Sequence, residues 1–168
     1  MTRVEQMRRH VEDLCAEHGI EVRSHSRGGR ASVTGRWVQI RPVKSGATYL
    51  TALHEIGHVV ADKSYYRRLE GEVAAFMWMA DNVIVDPGEF AWSRQASFLT
   101  NYLAWAATKR ARGVSNAPVI PDSIWVALER LYSLAGGVVP PSPGWQRALV
   151  AVGLPAEIWR GTINSPHS

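Results

Sequence analysis

One stretch constrains this chain more than any other, the run His54-Glu55-Ile56-Gly57-His58. In a helix of about 3.6 residues per turn, side chains four positions apart lie on the same face. We therefore expect His54 and His58 to point the same way, close enough together to share one metal ion. The carboxylate of Glu55 lies one step round the helix, where it can reach a water beside the metal and act as a general base for hydrolysis.

The residues around this run favour a short apolar helix. Apolar positions recur at three- and four-residue spacing beside the histidines: Tyr49, Leu50, Leu53, Ile56, Gly57, Val59 and Val60. Two histidines and an acid are costly to bury in such a helix unless they have partners, and this favours a metal site. The alternative interpretation is that the histidines cap or line an ordinary helical core.

A catalytic zinc ion usually has three protein ligands and an open fourth position, so the sequence must supply one ligand more. The metzincin pattern is excluded, because Ser64 stands where its third histidine falls and Ala61 replaces its glycine. Three acids remain as candidates: Asp62, Glu70 and Glu72. Glu72 is preferred because it precedes an apolar run and is expected to project from the face that packs on the first helix. Acids also occur in the first turn of a helix simply because the helix dipole stabilises them there.

The composition predicts one soluble domain over residues 1–168. Apolar residues make up 46% of the chain and charged residues 20%, and no run approaches the length of a membrane span. The charged N-terminus lacks the apolar core of a signal peptide, and Cys15 alone cannot form an internal disulfide, so we expect a cytoplasmic protein. A net charge of +4 is a weak signal for nucleic-acid binding, which we do not expect.

The order of elements predicts an α+β fold that is mainly helical. A first helix over residues 2–18 ends at Gly19, and three extended segments should form a small antiparallel sheet, with residues 25–30 as a hairpin tip: 20–23, 31–34 and 37–41. After the helix that carries the two histidines, further helices are predicted at residues 69–80, 89–112, 122–135 and 144–152, with a last turn near residues 155–160. We interpret residues 1–85 as the core of the domain and residues 86–168 as a helical C-terminal extension.

Residues 38–43, the run from His54 to His58 and the stretch Glu72-Val73-Ala74-Ala75-Phe76 together resemble the ImmA/IrrE-type metallopeptidases of bacteria and their mobile elements. The resemblance covers about residues 1–85. It implies a zincin-like fold, zinc bound by His54, His58 and Glu72, and catalysis by Glu55. It also implies an intracellular, site-specific peptidase whose protein substrate is often a helix-turn-helix repressor.

This chain departs from the family pattern in two places. The usual Glu-Ala-Asn or Glu-Ala-Asp is Glu72-Val73-Ala74 here, so we expect a polar group beside the ligands to be missing. The region after Pro87, which includes the four tryptophans from Trp105 to Trp159, matches nothing in the family.

Two questions stay open at the level of sequence. Transition-state stabilisation needs a further donor, and the nearest in sequence are Tyr65, Tyr66 and Arg67. The rival function is a catalytically inactive zinc-binding or protein-interaction module. Glu55 favours the enzyme, because a structural zinc site closes its fourth position and needs no base beside it. A DNA-binding helix pair at residues 122–135 and 144–152 is disfavoured, because the link between the two is too long for a helix-turn-helix.

Overall fold

The computed structural model describes residues 1–24, 27–62 and 67–137. In these ranges the chain forms five helices and three strands, in the order α1 (Arg3–Glu17), β1 (Glu21–Ser24), β2 (Arg30–Ser32), β3 (Trp37–Ile40), α2 (Gly46–Ala61), α3 (Arg68–Asn82), α4 (Glu89–Ala111) and α5 (Ser123–Leu134). The predicted α+β class is confirmed. The helix predicted at residues 144–152 and the turn near residues 155–160 lie outside the described residues.

The sheet is mixed, so the prediction of an antiparallel sheet is wrong for one of its pairs. Strand β3 lies in the middle, antiparallel to β2 and parallel to β1. The central place of β3 follows from its buried alternation, since Val38 is 0% and Ile40 5% exposed. Alternation reports which face of a strand is buried but carries no information on the direction of its neighbours, and this is why the sequence missed the parallel pair.

The segment that joins β1 to β2 is not the predicted hairpin tip. The chain turns instead at residues 33–36, between β2 and β3. Residues 27–29 lead into β2 and lie against α2, where a Cβ atom added to Gly29 would be 2.6 Å from Cγ of Glu55. A side chain at this position would require the side chain of Glu55 to move. Residues 25 and 26 lie outside the described ranges.

The helix boundaries agree with the prediction to within one or two residues, because local signals set them. A capping box closes the start of α1, where the Thr2 hydroxyl accepts from the backbone N–H of Glu5 and the Glu5 carboxylate accepts from that of Thr2. The turn before α4 is held by a hydrogen bond of 2.9 Å from the backbone N–H of Gly88 to the Asp86 carboxylate.

Helix α2 runs through the centre of the hydrophobic core. Leu50, Leu53 and Ile56 are fully buried, and the same core includes side chains from the other four helices and from β3. The functional side chains of α2 are therefore held on a rigid, packed element. Within the described ranges, none of the helices combines the length and the apolar composition that a membrane crossing requires.

Candidate metal centre

Helices α2 and α3 bring the three predicted ligand residues together. His54 and His58 lie one turn apart on α2, and Glu72 reaches them from α3. The Nε2 atoms of the two histidines are 3.1 Å apart, and Oε2 of Glu72 lies 3.1 Å from Nε2 of His54 and 3.2 Å from Nε2 of His58. Three atoms with lone pairs thus form a nearly equilateral triangle.

Hydrogen bonds alone do not account for this triangle. If both histidines donate to Glu72, two N–H groups face each other across the remaining 3.1 Å edge. Zinc–ligand bonds of about 2.0–2.1 Å in a tetrahedral site place ligand atoms roughly 3.3–3.4 Å apart, close to all three edges. Two imidazole nitrogens and one carboxylate oxygen are also a donor set found at catalytic zinc ions. The cluster can therefore hold a metal ion, and its residues fit zinc.

Asp62 contacts the outer nitrogen of His58 instead of the centre of the cluster. Its Oδ2 atom lies 3.3 Å from Nδ1 of His58. When Nδ1 carries the proton, Asp62 accepts it in a hydrogen bond and Nε2 presents its lone pair to the cluster. The other candidate acid, Glu70, pairs with Arg67 at 3.0 Å on the surface. Of the three acids left open by the sequence, Glu72 alone reaches the two histidines from the side where a metal can lie.

His54 is buried beside an aromatic ring. Its ring packs against Phe76, with 4.2 Å between the ring centroids. Burial lowers the pKa of His54, against the opposing effect of the hydrogen bond with Glu72, and this favours the neutral imidazole that metals bind. Its Nδ1 atom is buried and has no hydrogen-bond partner among the described residues.

The two carboxylates of the centre are shifted in opposite directions. Burial alone raises the pKa of Glu72, but the hydrogen bonds with His54 and His58 outweigh it, so the net pKa is lowered and the group is anionic. Glu55 makes no such bonds, and burial raises its pKa to about 7 although His58 opposes the rise. A carboxylate with a pKa near neutrality can both accept and release a proton at physiological pH.

Glu55 and His54 open on a cavity of about 780 Å³, within the usual range for ligand sites. Helix α2 forms one wall and helix α4 contributes another, while Gly28 and Gly29 border the cavity beside Glu55. The region assigned from sequence to a C-terminal extension therefore supplies part of the candidate site. The sequence feature that indicates this contribution is the three- and four-residue spacing in α4 of the cavity-lining residues 94, 98, 101, 102 and 105.

The structure describes only one of the three transition-state donors expected from the sequence. Tyr65 and Tyr66 lie outside the described residues, and Arg67 is exposed and paired with Glu70. The structure places Tyr102 of α4 and Arg68 of α3 in the cavity instead. Burial raises the pKa of the Tyr102 hydroxyl, and the negative charge of the nearby Glu72 carboxylate raises it further. Tyr102 therefore keeps its proton at neutral pH and can donate a hydrogen bond.

A prediction follows from the close approach of α2 to α3 at Gly57. A Cβ atom there would be 2.8 Å from the carbonyl oxygen of Ala75, so Gly57→Ala must push the helices apart. We expect the free energy of unfolding to fall by about 1–3 kcal/mol, as in other overpacked cores, and metal affinity to fall with it. Urea denaturation and a zinc titration measure the two effects. Gly28→Ala is the control, since an added Cβ meets nothing within 4 Å there. An unchanged unfolding midpoint in Gly57→Ala would contradict the packing described here.

Searches among protein-family models, curated proteins and solved structures find no match to this chain. The resemblance to the ImmA/IrrE-type peptidases therefore stays a prediction from the motifs. The chemistry of the centre is inferred from its own side chains.

Proposed function

We propose that this protein is an intracellular zinc-dependent peptidase that hydrolyses a peptide bond in a protein substrate. The observation that carries the proposal is the position of Glu55. This carboxylate is buried beside the cluster of His54, His58 and Glu72, and it also lines the cavity that a substrate can enter. A general base has to lie in just such a place, next to the metal ligands but not among them.

In this proposal His54, His58 and Glu72 hold the zinc ion. When bound, zinc supplies a Lewis acid that polarises the substrate carbonyl and acidifies water. The contact of Asp62 with Nδ1 of His58 orients that ligand, as carboxylates do at many metal-bound histidines. Phe76 holds the ring of His54 in place by packing.

Glu55 moves the proton in the proposed reaction. Its carboxylate takes a proton from water as the water oxygen forms a bond to the peptide carbonyl carbon. When the carbon–nitrogen bond breaks, Glu55 returns this proton to the leaving amine nitrogen. The hydroxyl of Tyr102 and the guanidinium of Arg68 are cavity donors for the negative charge that develops on the carbonyl oxygen.

The rival function, an inactive zinc-binding or protein-interaction module, accounts less well for the cavity. A structural zinc site is closed by four protein ligands and needs no buried acid beside it. Here three candidate ligands are found among the described residues, and a second carboxylate, Glu55, lines the cavity beside them with a raised pKa. This arrangement favours an enzyme.

The test is cleavage of a protein target by protein loaded with one equivalent of zinc. The resemblance makes a helix-turn-helix repressor encoded nearby the first target to try. We expect a discrete cut, located by mass spectrometry, that a chelator abolishes and added zinc restores. If the zinc-loaded protein binds its target and never cuts it, the peptidase proposal fails and the binding module is favoured.

A further inference from the structure

The cavity beside Glu55 is lined by an excess of positive charge. Arg41, which follows β3, Arg68 of α3 and Arg94 of α4 all border it, whereas Glu55 is the one carboxylate among its lining residues in the described part of the chain. All three arginines are exposed. None of them forms a salt bridge with a carboxylate in residues 1–24, 27–62 or 67–137. Their charge is therefore available to a bound molecule.

Aromatic rings of α4 hold two of these arginines in position. The guanidinium of Arg94 lies 5.7 Å from the ring centre of Phe98. The guanidinium of Arg68 lies 5.8 Å from the ring centre of Tyr102 and 5.4 Å from that of Trp105. A guanidinium that stacks on an aromatic ring keeps the N–H groups at its edge free to donate to a carboxylate. The ring also holds the guanidinium in this orientation before a ligand binds. Phe98 is itself 41% exposed and offers apolar surface beside the charge.

We infer that the segment bound in this cavity is an acidic peptide, with aspartate or glutamate side chains beside an apolar residue. The inference rests on the proposed peptidase function, since it names the substrate class of the same site. Carboxylates complement the three arginines, and the apolar residue complements Phe98. A nucleic acid fits less well, because it bears a phosphate at every nucleotide, whereas a peptide can place its carboxylates beside the arginines and an uncharged residue beside Glu55.

Binding can be measured separately from cleavage. The protein is the zinc-loaded Glu55→Gln variant, which keeps the cavity but lacks the proposed base. The probes are two fluorescent peptides of equal length around one apolar residue, the first with aspartate and glutamate, the second with asparagine and glutamine in their place. Exposed ion pairs are individually weak, so we expect three together to bind the acidic peptide about tenfold more tightly, with the preference shrinking as salt is added.

A matched pair of triple variants assigns this preference to the cavity. Arg41→Gln, Arg68→Gln and Arg94→Gln combined should remove it. The control variant removes the same charge from exposed positions outside the cavity lining by combining Arg9→Gln, Arg110→Gln and Arg112→Gln. This variant should keep the preference for the acidic peptide. Arg94→Glu adds a readout that loss of packing cannot produce, because it should turn the preference toward a lysine-containing peptide.

The outcomes separate this inference from the peptidase proposal. Equal binding of the two peptides, or the same loss in both triple variants, overturns the acidic substrate class even if the enzyme cuts a target. Tighter binding of a single-stranded oligonucleotide than of the acidic peptide also overturns it. A preference for the acidic peptide that depends on Arg41, Arg68 and Arg94 supports the inference. If the protein with Glu55 intact then cuts no target, the peptidase proposal fails, but the preference of the cavity for acidic peptides stands.

Discussion

Glu72→Ala is expected to lower zinc affinity by more than about 100-fold, beyond the loss typical of groups that merely support a ligand. The reason is the triangle of donor atoms, in which Oε2 of Glu72 lies 3.1 and 3.2 Å from the two histidine nitrogens and no other described acid can replace it. Titration with zinc against a competing chelator measures the effect.

Two neighbouring acids calibrate this result. Glu70→Ala is the matched control and should leave zinc affinity unchanged, because Glu70 pairs with Arg67 on the surface. Asp62→Ala should fall between the two, at about 10- to 100-fold, because Asp62 acts through Nδ1 of His58. Loss of zinc in Glu70→Ala, with zinc retained in Glu72→Ala, would show that α3 presents a different face to α2.

Glu55→Gln is expected to leave zinc bound and to lower hydrolysis by at least the ~100-fold typical of removing a general base. The amide keeps the size of the side chain and cannot take the proton. Stability should not suffer, because burial already penalises the charged carboxylate and raises the pKa of Glu55 to about 7. Single-turnover cleavage of the protein target, with zinc content and melting temperature measured in parallel, separates the three effects.

The control for this variant is Glu70→Gln, the same substitution at an acid that does not line the cavity. It should cleave at the parental rate. Should Glu55→Gln also cut as fast as the parent with zinc in place, Glu55 is not the base, and the proposed mechanism is wrong even though the metal is present.

Much of the centre could be predicted from sequence because its parts are local. The spacing of His54 and His58 is a property of one helix, and caps such as Thr2 fix helix ends within a few residues. Glu72 could be preferred over Glu70 because an apolar run indicates which face of a helix packs. In each case the information lies within one turn of the residue concerned.

The remaining features depend on contacts between segments that are distant in the chain. The parallel pairing of β1 with β3 follows from tertiary packing. The alternation of Val38 and Ile40 does not indicate the direction of the neighbouring strands. Gly29 lies beside Glu55 because the start of β2 packs against α2. The spacing of Arg94, Phe98 and Tyr102 marks one face of α4, but the sequence does not show that this face meets α2 and lines the cavity.

The origin of the ligands on two helices couples metal binding to the folding of the chain. His54 and His58 belong to α2 and Glu72 to α3, so a bound zinc ion acts as a cross-link that the unfolded chain does not assemble. By mass action, free zinc at 100 times its dissociation constant adds about 2.7 kcal/mol to the stability of the folded state. A shortage of zinc would then shorten the lifetime of the protein and also abolish the proposed activity. The abundance of the protein in the cell would follow the supply of zinc.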